Sequence, residues 1–86
     1  MKKTVKLYMR QRCHLCEEAK VLLEGLRREF EFEIVEVDID LDDDLVERYG
    51  ISIPVIEVDG EEIMEGIIEN EPLYKALTEK YNGFLS

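Results

Sequence analysis

The sequence is poor in several things that would settle its class at once. Cysteine occurs twice and histidine once in 86 residues. Two cysteines are too few for the disulfide frameworks of small exported domains, which come in larger sets and close long loops. No apolar run approaches the roughly 20 residues needed to cross a bilayer, so a membrane-spanning helix is excluded. Cations are scarce: 11 Lys and Arg face 21 Asp and Glu, a formal charge of −10. A surface this acidic repels phosphate backbones and argues against nucleic acid as a partner. It fits either a simple solvated face or docking to a basic partner. Repeats, low-complexity tracts and linkers are absent, and the length allows one domain, residues 1–86, with a modest core. The opening Met1-Lys2-Lys3-Thr4-Val5-Lys6-Leu7-Tyr8 starts basic but never reaches a long apolar stretch. It reads as a strand and not as a signal peptide, so a cytoplasmic monomer is expected.

Periodicity supplies the elements. Val5, Leu7 and Met9 alternate with Lys6 and Tyr8, which predicts a strand over about residues 3–9. From Cys13, an apolar stripe of Leu15, Ala19, Leu22, Leu23, Leu26 and Phe30 predicts an amphipathic helix running to about Glu29. Phe32, Ile34, Val35, Val37 and Ile39 mark a second strand. Asp40 to Asp44 offer a cap and first-turn acids for a short helix that ends at Tyr49, with Gly50 expected in a left-handed position. The run Val55 to Val58 and the segment Glu61 to Met64 are joined by Asp59-Gly60, a strong hairpin signal. Asn70 is expected to cap a last helix, with Pro72 in its first turn, Leu73, Ala76, Leu77 and Tyr81 facing inward, and Gly83 after its end. The order β-α-β-α-β-β-α predicts an α/β fold with a mixed four-stranded sheet flanked by three helices. The first two strands are expected to be inner and parallel, and the last an edge. This is the arrangement of the thioredoxin-fold core.

The chemistry concentrates at Cys13-His14-Leu15-Cys16, between the first strand and the first helix. Residues i and i+3 in a first helical turn share a face and lie close enough for a disulfide. The sulfur nearest the helix N-terminus meets the positive end of the dipole and unpaired N–H groups, which favour the nucleophilic thiolate. By position that sulfur belongs to Cys13. Cys16, one turn in, is expected to be more buried and to resolve a mixed disulfide by attacking Cys13. Arg10 and Arg12 add positive charge beside Cys13, while Glu17 and Glu18 oppose it. His14 either favours the Cys13 thiolate when charged or is a solvent-exposed filler. Two thiolates and one imidazole fall short of the four ligands of structural zinc. Three other readings remain open: a metal or iron–sulfur cluster shared by a dimer, a non-catalytic binding module, and a coincidence of two cysteines. The strand–helix context favours thiol–disulfide exchange.

On Leu7-Tyr8, Cys13-His14-Leu15-Cys16-Glu17 and Ile53-Pro54-Val55 ahead of Asp59-Gly60, the chain resembles the glutaredoxin family, and more closely its small glutaredoxin-like members. The resemblance covers nearly the whole chain. It implies a disulfide oxidoreductase in which Pro54 is cis against the active-site disulfide and the Ile53 backbone pairs with an extended substrate segment. An X-Pro bond suits that role because cis peptides are almost confined to proline. A proline at the first position of a strand is the competing explanation. Arg10 falls where glutaredoxins often carry a lysine that meets the glutathione carboxylate. The substrate-binding set is then Arg10, Arg12, His14, Ile53 and Pro54 around catalytic Cys13 and Cys16, with no cofactor and no metal. Two departures stand out. The family's Gly-Gly pair is replaced by Met64-Glu65, or by Glu65-Gly66 in the other register, and the acidic place after it by Ile67 or Ile68. The dipeptide between the cysteines is His14-Leu15, where glutaredoxins usually have Pro-Tyr and thioredoxins Gly-Pro. Expected partners are a disulfide-containing protein and, as reductant, a thioredoxin-reductase-type enzyme or glutathione, with glutathione disfavoured by the crowding and charge at Glu65.

Overall fold

Strand β1 (Lys3–Met9) has both faces covered, because Val5, Leu7 and Tyr8 are all buried. That makes it the spine of the sheet. The computed structural model describes residues 3–82, so Met1, Lys2 and the position expected just past the last helix, Gly83, lie outside the described residues. After β1 come α1 (His14–Leu26), β2 (Phe32–Asp38), a 3-10 turn (Ile39–Leu41) and α2 (Asp43–Tyr49). They are followed by β3 (Val55–Val58), β4 (Glu61–Glu65) and α3 (Asn70–Asn82).

The sheet is mixed and four-stranded, in the order β2-β1-β3-β4. β1 and β2 are parallel, with Lys3 opposite Phe32 and Met9 opposite Asp38. β3 runs antiparallel to both β1 and β4. The inner strands are therefore β1 and β3, and β2 lies at an edge, which corrects the expectation that the first two strands are inner. Glu33 and Glu36 carry the charge that an exposed edge needs, and Val35 of the same strand is 40% exposed.

Two cores flank the sheet. On one face Val5, Leu7, Ile56 and Val58 pack with Ala19 and Leu23 of α1 and Leu73 and Leu77 of α3. On the other, Tyr8 and Val55 pack with Ile39 and with Tyr49 of α2. Tyr8 and Tyr49 stack there with ring centroids 4.5 Å apart. Their hydroxyls donate to two glutamates that face each other across β3 and β4: Tyr8 to Glu57 at 3.2 Å and Tyr49 to Glu62 at 2.5 Å. Arg48 stands 3.5 Å from Glu62 and offsets the like-charge pair.

Several element ends differ from expectation. α1 stops at Leu26 and not near Glu29, and the next turn brings Phe30 back onto the core. Ile39 leaves β2 to enter the 3-10 turn, where it is fully buried against the α2 side. Gly50 is right-handed (φ −51°) and not left-handed. Its requirement is close approach, since a Cβ there would sit 2.5 Å from the Val46 carbonyl oxygen. The first bond of α3 runs from the Leu73 N–H to the Glu69 carbonyl, so Glu69 holds the cap position and Asn70 is the first helical residue. Leu73 and Leu77 are buried as expected, while Ala76 and Tyr81 are half-buried. Leu15 keeps the angular position of Leu22 and Leu26, but it lies in the first turn of α1 and is 37% exposed. It is not a core residue.

Candidate active site

The ladder registers gather four connections at one end of the sheet. β1 ends beside the end of β2, at Met9 and Asp38. The start of β3 lies beside the end of β1, with Val55 opposite Tyr8. The end of β4 lies beside the start of β3, with Glu65 opposite Val55. Segments 10–13, 39–42, 50–54 and 66–69 therefore meet at this end.

Cys13 and Cys16 form a disulfide there, with their Cα atoms 5.2 Å apart. Arg12 takes a left-handed conformation (φ 58°), which turns the chain so that Cys13 becomes the N-cap of α1. The Cys13 Sγ accepts the Cys16 backbone N–H at 3.2 Å, taking up one of the donors that a helix start leaves unpaired. Cys13 is half-buried and Cys16 only 3% exposed. The cysteine at the helix start is thus partly accessible while its partner is covered.

The other candidate residues divide into two groups. Ile53 is half-buried and Pro54 buried, and the peptide between them is cis. This loop is tied on both sides: the Ile53 N–H donates to the Tyr49 carbonyl at 3.2 Å, and the Gly66 N–H donates to Ser52 O at 3.1 Å and Pro54 O at 2.9 Å. An irregularity in the β3–β4 ladder next to Ile56 sets the register, so Glu65 and Gly66 are the pair that reaches the cis-proline loop. Gly66 has φ +76° there, a conformation that side chains rarely adopt. Glu65 is exposed, Ile67 is 72% exposed and Ile68 is buried.

Arg10, Arg12 and His14 form the second group. Arg10 and Arg12 line a cavity of about 570 Å³ that also touches Cys16, Lys20 and Glu36. Arg10 is bound to Asp40 at 2.7 Å, and the hydrogen bonds and charge of that carboxylate push its pKa up further. Its charge is therefore already engaged. His14 is 83% exposed, and its Nε2 lies 2.7 Å from Glu18. No cluster of three or more metal-ligating side chains is found among the described residues, and none of their helices is long and apolar enough to cross a membrane.

Two residues already named in the sequence have roles at the site that it did not show. Asp40 lies 30 positions from Arg10, and no local pattern signals that pair. Gly66 was legible in principle, as a glycine immediately after a strand.

No curated protein matches the chain by sequence. Among solved structures, an NMR structure of a Nitrosomonas europaea protein superposes with a TM-score of 0.76 at 25% identity, over 87% of this chain and 91% of that one. An X-ray structure of an X. campestris protein gives 0.75 at 31% identity, over 86% and 95%. A mutant thioredoxin from Halobacterium salinarum gives 0.68 at 21% identity, over 93% and 74%, and shares the fold. Residues 4–78 match the family described as Glutaredoxin-like domain (DUF836). With its thioredoxin fold and its Cys13–Cys16 pair at disulfide distance, the chain belongs to that glutaredoxin-like family.

Proposed function

We propose that this protein is a dithiol oxidoreductase that reduces disulfides in other proteins. One observation carries the reading: the disulfide closes the first turn of α1 with Cys13 accessible and Cys16 covered. In the reduced protein the helix dipole and the Cys16 N–H favour the Cys13 thiolate. That thiolate attacks one sulfur of the substrate disulfide, forming a mixed disulfide and releasing the first substrate thiolate. The Cys16 sulfur, as thiolate, then attacks Cys13 Sγ, restoring the Cys13–Cys16 bond and releasing the second. Two electrons pass to the substrate, and two protons from the dithiol or solvent complete its thiols. Ile53 and Pro54 supply the edge along which an extended substrate segment lies. A thioredoxin-reductase-type enzyme or, less favourably, glutathione returns the electrons in the cytoplasm.

The test is a redox titration of the pair in graded thiol buffers, read by the mass added on alkylation. The reading expects one reversible two-electron couple between about −270 and −200 mV. A pair that alkylates independently, or a bond that no thiol buffer opens, would falsify it.

A further inference from the structure

Exposed apolar side chains are distributed unevenly over the molecule. Of the seven large hydrophobic residues exposed among the described residues, four stand at the disulfide end of the sheet: Leu15, Leu41, Ile51 and Ile67. Each belongs to a different element or connection there: the first turn of α1, the 3-10 turn, the α2–β3 link and the β4–α3 link. Leu41, Ile51 and Ile67 are 85%, 103% and 72% exposed. At the opposite end, link 27–31 carries only Phe30, which is buried, and the β3–β4 turn is Asp59-Gly60. The other three, Val21, Val35 and Tyr74, are spread over α1, β2 and α3, so among the described residues the exposed aliphatics concentrate at the disulfide end.

Charge at the same end is mainly negative. Asp42, Asp43 and Asp44 follow Leu41 and are exposed, and exposed Glu65 and Glu69 bracket Ile67. Arg10 is taken by Asp40, and exposed Arg12 is one cation against these five carboxylates. Apolar contacts inside an acidic rim complement a surface with the reverse rim.

We propose that the substrate is a protein whose disulfide lies among aliphatic residues bordered by lysine and arginine, docked on Leu15, Leu41, Ile51 and Ile67. This inference rests on the exchange reading above and names the substrate class for that same site. Aliphatic contacts supply the burial, and the acidic rim selects against acidic partners and speeds encounter with basic ones.

Three synthetic peptides test it, each with one cysteine as a mixed disulfide with thionitrobenzoate. Their flanks are Leu with Lys, Leu with Glu, or Ser alone. The reduced protein is mixed with each, and release of thionitrobenzoate gives the rate. The Leu/Lys peptide should react about tenfold faster than the Leu/Glu peptide at low salt, with the gap closing in high salt. It should also outrun the Ser peptide, and Ile51→Ser with Ile67→Ser should narrow that second ratio. Glu65→Lys with Glu69→Lys should narrow the first. Equal rates for all three peptides overturn the inference while leaving the exchange reading intact. If the reduced protein releases nothing from any peptide or from the symmetric thionitrobenzoate disulfide, both fall together.

Discussion

Asp40 holds Arg10 by two hydrogen bonds, 2.7 Å from Arg10 Nη2 to Oδ1 and 3.3 Å from Nε to Oδ2. The pair spans 30 residues of sequence and joins the loop after β1 to the turn after β2. It occupies the guanidinium that the glutaredoxin resemblance would assign to a glutathione carboxylate.

Freeing that guanidinium should change substrate use. Asp40→Ala is expected to lower KM for a glutathione mixed disulfide severalfold with little change in kcat. The gain should shrink in high salt, because the pair is solvent-exposed. Steady-state kinetics of the two proteins at two salt concentrations check this. An unchanged KM would mean that Arg10 plays no part in anion binding even when unpaired.

Two glycines should respond to alanine with opposite signs. Gly66 has φ +76° and ties the cis-proline loop through Ser52 and Pro54, so Gly66→Ala is expected to cost about 1–2 kcal/mol. Gly25 sits exposed inside α1 with open space around it, so Gly25→Ala is expected to gain about 0.5–1 kcal/mol. Urea midpoints of the three oxidised proteins decide, and like signs would refute the conformational argument.

Alkaline pH should unfold the protein through its tyrosines. Burial, together with the bond to Glu62 and its charge, pushes Tyr49 up to about 12. Burial and Glu57 raise Tyr8 in the same direction. A folded-state value above the unfolded one gives stability that is fully present below the unfolded value, near pH 10, and is lost as pH rises through the folded value. The loss from Tyr49 therefore falls between about pH 10 and pH 12. Urea midpoints measured across that window should drop for the parent and drop less for Tyr49→Phe. Parallel curves would show that Tyr49 ionises alike in both states.

The parts of this structure that were legible in the sequence are those written in short-range patterns. The alternation of Val5 and Leu7, the hairpin at Asp59-Gly60 and the two-residue gap in Cys13-x-x-Cys16 each encode local geometry directly. Strand order does not have that property. The placing of β3 beside β1 depends on pairs such as Val5 with Val58, whose apolar character would serve either neighbour. Glu33 and Glu36 were the available sign that β2 is an edge. Leu15 shows a second limit: periodicity gives a side chain its angle around the helix, but not whether the sheet extends far enough to cover it. Gly50 shows a third, because a glycine demanded by the nearby Val46 carbonyl looks the same in sequence as one demanded by positive φ.

The central claim is that Cys13 takes the substrate and Cys16 lets it go. Its most direct measurement is covalent trapping with the two single mutants, each incubated reduced with a disulfide-bonded protein such as insulin, quenched by alkylation and mapped by mass spectrometry. The account predicts that Cys16→Ser accumulates a one-to-one mixed disulfide on Cys13, while Cys13→Ser accumulates none and has no turnover. Reduction of insulin by both mutants at the parent's rate, or an adduct found equally on either cysteine, would contradict it.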